Sequence, residues 1–184
     1  MDADALRRLA IIFNIGAGFE PALGIMDTLA AYGTPTTAFF MGWWVDAEPE
    51  AARAIVSYGH PIGSHGNDPP ELTLRSDADI RADIWGAEEA FLRVLGEPPG
   101  PWFTTFAGAT DARVNAIIAE LGYTPVGWEI DTGDWTPETS ADDIYNRVMA
   151  DAHDGAIIQM HLDSEPSSWT TAVALPRLIE DLSA

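Results

Sequence analysis

The chain has 184 residues, 47% of them hydrophobic, and a formal net charge of −20. That length supports one domain with a full core, spanning residues 1–184, and the composition excludes a disordered chain. All nine basic residues are arginine and cysteine is absent, which argues against nucleic acid as a partner and rules out disulfides, thiolate metal sites and cysteine nucleophiles.

The chain opens with acidic and then basic residues to Arg8, without the long apolar core and cleavage site of a secretory leader. As written it points to the cytoplasm, or to an extracytoplasmic location for a trimmed chain. No apolar run approaches the ~20 residues that cross a bilayer, so no membrane partner is expected. Leu9–Ile15 reads as a buried strand. Pro21–Tyr32 is helical, with Leu23, Met26, Leu29 and Ala30 on one face and Gly33 ending it. Thr36–Met41 is a strand, Pro49–Tyr58 a helix, and Pro61–Ser64 a short strand. Asp77–Leu95 is a long helix capped by Ser76 or Asp77, with Gly96 beyond its end. Trp102–Thr104 and Thr124–Trp128 are strands either side of a helix over Asp111–Leu121. A helix capped by Ser140 or Asp142 reaches Ala152. Ala156–Met160 is a strand, and Trp169–Leu182 is the last helix, with Pro176 inside it.

Strands alternating with helices imply parallel strands joined by helical crossovers, an α/β fold of barrel type. In such folds the chemistry sits after the C-terminal ends of the strands. That rule selects Asn14, Met41–Trp44, His65, Thr104–Phe106, Asp131–Trp135 and His161. Aromatic residues gather at the same ends: Trp43, Trp44, Trp102, Phe103, Phe106 and Trp135. Several of them are expected to line an apolar mouth and the others to pack beneath it.

Six segments, in order, resemble the NodB homology domain of polysaccharide deacetylases, carbohydrate esterase family 4. They are Ile12-Phe13-Asn14-Ile15-Gly16 for T-F-D-D-G and Thr37-Ala38-Phe39-Phe40 for A-T-F-F. Gly59-His60-Pro61-Ile62-Gly63-Ser64-His65-Gly66-Asn67-Asp68-Pro69 stands for G-H-E-I-G-N-H-T-x-x-H. Thr104-Thr105-Phe106-Ala107-Gly108 stands for R-P-P-Y-G. Asp131-Thr132-Gly133-Asp134-Trp135 keeps D-x-x-D-W, and Ile157-Ile158-Gln159-Met160-His161 stands for I-I-L-L-H. The resemblance implies a distorted (β/α) barrel of the NodB type.

It also implies a divalent metal held by an Asp and two His, an Asp base tuned by an Arg, and a His acid that protonates the leaving amine. Mapped residue by residue, the base falls at Asn14, the metal Asp at Ile15, the metal His residues at His65 and Pro69, and the tuning Arg at Thr104. An amide is no base at neutral pH, and one imidazole is too few ligands for a catalytic zinc, so no metal or other cofactor is expected. Asp68, beside Pro69, and the carbonyl oxygen of Asn14 are the substitute ligands on offer, while His60 lies roughly 16 Å along the strand from His65. The acid half persists in His161 and Asp134, with Asp131 beside them in the motif. Gln159 puts a polar amide where the family has an apolar residue next to the acetyl group.

The favoured reading is a repurposed, metal-independent enzyme acting on a small apolar or aromatic molecule. It uses His161, Asp134 and Asp131 as catalytic residues. Trp135, Trp43, Trp44, Phe106, Gln159, Asn14 and His65 bind the substrate. The alternatives are a non-catalytic barrel that binds carbohydrate or another ligand, and a divergent metal-dependent deacetylase of N-acetyl sugars.

Overall fold

The computed structural model describes residues 8–183; the leader reading over Met1–Arg7 lies outside them. Seven parallel strands form one curled sheet: β1 (Ala10–Ile15), β2 (Thr37–Phe40), β3 (Ile62–Ser64), β4 (Trp102–Phe103), β5 (Thr124–Pro125), β6 (Ile130–Asp131) and β7 (Ile157–Met160). Their order is β5-β4-β3-β2-β1-β7-β6, so β5 and β6 are the two free edges and the barrel stays open between them. Among the described residues seven helices form the outer layer: α1 (Gly24–Tyr32), α2 (Gly42–Ala47), α3 (Pro49–Val56), α4 (Asp77–Leu95), α5 (Ala112–Glu120), α6 (Ala141–Asp151) and α7 (Thr171–Leu182). Among the described residues no helix is long and apolar enough to cross a membrane.

The two-residue period of the strands decides which side chains reach the site. In β1, Ile11, Phe13 and Ile15 pack outward into the main core against the helices, which turns Ile12 and Asn14 to the inner face. In β7, Ile158 and Met160 pack outward, and Gln159 and His161 follow the inner register. Each fully buried Phe, Ile or Leu of this core contributes roughly 1.5–3 kcal/mol. A smaller cluster of Ile80, Ile84, Phe103, Val114 and Ile118 joins α4 and α5 to β4.

The helix termini follow local chemistry. The Ser76 hydroxyl accepts the Asp79 N–H at 3.2 Å and opens α4. Asp111 accepts the Val114 N–H at 2.8 Å and opens α5. Ser140 and Asp143 form a reciprocal capping box at α6. Pro176 lies inside α7, which continues through it.

Two expectations need correction. Met41–Trp44 does not reach the strand-end site as one segment: α2 begins at Gly42. Neighbours on a helix point about 100° apart, so Trp43 turns to the rim while Trp44 is fully buried and stacks on Phe40, ring centroids 5.7 Å apart. Trp44 is a core residue, not a ligand contact, and Met41 is buried with it. The expected strand Thr124–Trp128 stops at Pro125, and the chain then runs irregularly into β6.

Candidate active-site cavity

The C-terminal ends of the strands surround a cavity of about 550 Å3, within the ~300–1,000 Å3 usual for small-molecule sites. Asn14, His65, Gln159, His161, Asp131 and Trp135 line it together, and Trp43 and Phe106 complete the expected set apart from Trp44. Of the other aromatic candidates, Phe103 is fully buried, and Trp102 opens β4 away from this wall.

His161 and Asp134 form the pair that the motif implied. His161 Nδ1 lies 2.8 Å from Asp134 Oδ1. The His161 backbone N–H and the Thr171 hydroxyl both donate to Asp134 Oδ2, each at 2.7 Å. Asp134 is completely buried and held by three donors, while the His161 side chain keeps 18% of its surface exposed. Burial works against the imidazolium, but the hydrogen bond and charge of Asp134, with the charges of Asp163 and Asp131, outweigh it and raise the His161 pKa.

Gln159 adds a contact that the sequence did not announce. Its amide nitrogen is 3.2 Å from His161 Nδ1 and 3.0 Å from Nε2. Nearly equidistant from both, the amide lies across the ring rather than at the end of one N–H axis.

On the opposite wall the residues at the base, tuning and first metal-His positions bind one another. The Thr104 hydroxyl donates to Asn14 Oδ1 at 2.9 Å. Thr104 Oγ1 is also 2.8 Å, and its carbonyl oxygen 3.2 Å, from His65 Nδ1. With the hydroxyl hydrogen committed to Asn14, Nδ1 of His65 must donate, which leaves Nε2 unprotonated. Burial, then the nearby His161 charge, pushes the His65 pKa down to about 3, against a partial offset from its bond to Thr104. Two imidazoles thus share one cavity with their pKa values displaced in opposite directions.

Asp68 does not turn toward His65. It pairs with Arg75 at 2.9 Å, and Arg75 also holds the buried Asp83 at 2.8 Å. Ile15 lies in the core, and Pro69 lines the cavity without a donor atom. Among the described residues no three His, Cys, Asp or Glu side chains converge as a metal would need.

The sequence reading missed part of the rim. Phe19, half exposed, and Trp128 line the cavity with Ala107, Pro69 and Ser164. Phe19 sits on the loop after β1, whose Gly16, Ala17 and Gly18 N–H groups all donate to Asp163 Oδ2, at 3.0, 2.8 and 3.2 Å. Burial raises the Asp163 pKa against the lowering effect of these N–H groups and of His161. Trp128 rests on Gly108, where a Cβ would come within 3.1 Å of the indole.

Residues 6–126 match the polysaccharide deacetylase family. The peptidoglycan-N-acetylglucosamine deacetylase of Listeria monocytogenes is 30% identical over 155 residues, covering 84% of this chain and 32% of that protein. The chitooligosaccharide deacetylase of Rhizobium leguminosarum bv. trifolii is 29% identical over 155 residues, covering 84% and 71%. The chain therefore spans about a third of the length of the first of these relatives. A peptidoglycan N-acetylglucosamine deacetylase solved with 4-naphthalen-1-yl-N-oxidanyl-benzamide superposes with a TM-score of 0.87 at 27% identity, over 96% of this chain and 81% of that one. A CE4 family pseudoenzyme from Bacillus anthracis gives 0.87 at 25%, over 96% and 60%.

Proposed function

The chain belongs to the polysaccharide deacetylase family, and on that footing we propose that it binds an N-acetylated amino-sugar glycan in this cavity without deacetylating it. One observation carries the reading. The wall that would hold metal and base instead carries a neutral hydrogen-bonded chain, Asn14–Thr104–His65, facing aromatic side chains at the mouth. A divalent metal does not fit these residues, because on this wall only His65 offers a ligand nitrogen and, among the described residues, no three His, Cys, Asp or Glu side chains converge to supply the usual three protein ligands. The flat faces of Trp135, 56% exposed, and Trp128 suit the apolar face of a sugar ring. The relatives' names give N-acetylglucosamine units of peptidoglycan and chitooligosaccharides as the class of glycan.

The test uses the purified chain, supplied with zinc or cobalt and then with N-acetylated chitooligosaccharides. The expected result is measurable binding by calorimetry, no release of acetate, and no effect of a chelator. Trp135→Ala should weaken binding about tenfold, the effect of losing a buried aromatic contact. Acetate release that a chelator stops and that His65→Ala abolishes would overturn the proposal.

A second reading rests on the Asp134–His161 pair, which still presents an imidazole of raised pKa to the cavity. It is the metal-independent acid/base enzyme acting on a small, apolar or aromatic molecule. The Gln159 amide can rotate to accept from a protonated His161 or donate to a neutral one, so it does not block proton transfer. Under this reading, turnover found in a screen of small aromatic esters and amides should fall about 10²–10⁴-fold in His161→Ala. Turnover that ignores the substitution would remove the reading.

A further inference from the structure

Four consecutive backbone N–H groups on the loop after β1 depend on one residue. Gly16, Ala17 and Gly18 donate to Asp163 Oδ2, at 3.0, 2.8 and 3.2 Å, and Phe19 donates to the Asp163 carbonyl oxygen at 3.1 Å. The loop is exposed from Ala17 to Glu20, yet the carboxylate that gathers it is completely buried. Three N–H groups turned onto one oxygen form an anion-binding concavity, which Gly18 enters with φ 88°. Gly16, Ala17 and Phe19 also line the strand-end cavity, so this strap is one of its walls.

The carboxylate is served unevenly. Oδ2 takes three donors, whereas Oδ1 is buried and has no hydrogen-bond partner. An ionised oxygen shut away from both donors and water is costly. A proton on Oδ1 removes the charge and leaves Oδ2, then a carbonyl oxygen, still able to accept from the strap. Opening the strap is the other way to relieve the cost, because water then reaches the carboxylate.

We propose that Asp163 is a proton-operated latch for the strap Gly16–Phe19: a proton on Oδ1 holds the strap closed, and its loss lets the strap swing outward and carry Phe19 off the cavity. Burial raises the Asp163 pKa, so the closed form keeps its proton more readily than an open, hydrated one. The charged group that faces Asp163 is His161, whose imidazolium favours the ionised carboxylate, while Asp134 and Asp131 act on His161 from the other side. The strap brings no ionisable side chain, and Glu20 and Glu165 at its flanks are exposed. Once His161 loses its proton at higher pH, the buried carboxylate loses its counter-charge and the latch loosens further.

NMR-detected amide exchange on the ligand-free chain tests the latch. Protection of Gly16–Phe19, corrected for intrinsic exchange rates, should fall about tenfold from pH 4.5 to pH 8, the ratio that one preferentially held proton gives per pH unit. This trend runs opposite to the acid sensitivity that the depressed pKa of His65 gives the whole fold. In Asp163→Asn, which is neutral at every pH and keeps an acceptor oxygen, the protection should be independent of pH. A second measurement needs no variant: the Gly16, Ala17 and Gly18 amide shifts should titrate together, with the midpoint of the Asp163 carboxyl carbon. Protection that is flat or rises with pH in the native chain, the same fall in Asp163→Asn, or amide shifts that do not follow the carboxyl would overturn the latch. No ligand enters the test, so its outcome is separate from that of the glycan-binding reading.

Discussion

Replacing Asp134 by alanine is expected to cost about 3–5 kcal/mol of stability, the range for breaking a buried charged pair. The carboxylate takes hydrogen bonds from the His161 ring, the His161 backbone N–H and the Thr171 hydroxyl. Alanine leaves all three donors without an acceptor in a site closed to water. Asp134→Asn keeps the shape and part of the bonding, so its cost should be smaller. The loss should also depend on pH. The His161 pKa is raised in the folded chain, so its stabilisation is fully present below about 6.5, the unfolded value, and disappears as pH rises through the folded value. Guanidinium unfolding of both variants should therefore show a larger penalty at pH 6 than at pH 9. NMR should find the His161 titration displaced downward in each. A penalty below 1 kcal/mol that ignores pH would contradict this role for the pair.

His65 should make the chain acid-sensitive over a window where most carboxylates are still ionised. Its folded pKa of about 3 lies well below the unfolded value. As pH falls below about 6.5 the unfolded chain takes up a proton that the folded chain refuses. Stability should then drop by about 1.4 kcal/mol per pH unit, on the order of 4 kcal/mol over three units. Asp163 and Asp83, whose pKa values are raised chiefly by burial, act in the opposite direction, but only below their own folded values. Urea unfolding from pH 7 to pH 4 should show the slope in the native chain and a flatter profile in His65→Gln. Equal slopes in the two would mean that another group carries the acid response.

Sequence alone made the strand-end residues legible. Asn14, His65, Asp131, Asp134 and His161 were found because each sits just after a strand, whereas Gln159 was noticed only as a departure from the motif that the chain resembles, as was the pairing of Asp134 with His161. The helix caps at Ser76, Asp111 and Ser140 were legible or nearly so, since a cap is a bond between residues three apart. Helix α2 was not. It is six residues long, with Trp43, Trp44 and Val45 in an unbroken apolar run, and so short a helix depends on packing rather than on period. That miss put Trp44 at the site, when it is in the core. Phe19 and Trp128 escaped notice because they stand on irregular segments that carry no repeating signal. Their positions come from contacts far along the chain: Asp163 ties down the loop beside Phe19, and Gly108 seats Trp128.

The unclosed barrel has a bearing on solubility. An exposed sheet edge is a template on which a second chain can add a strand, and open sheets ordinarily need protection against it. Here each free edge is only two residues long, Thr124–Pro125 on one side and Ile130–Asp131 on the other. Pro125 has no N–H to donate, and Asp131 places a charge at the end of the other edge. A chain arriving at either edge would find too few backbone groups to hold it. The seam can therefore remain open to solutes without inviting polymerisation.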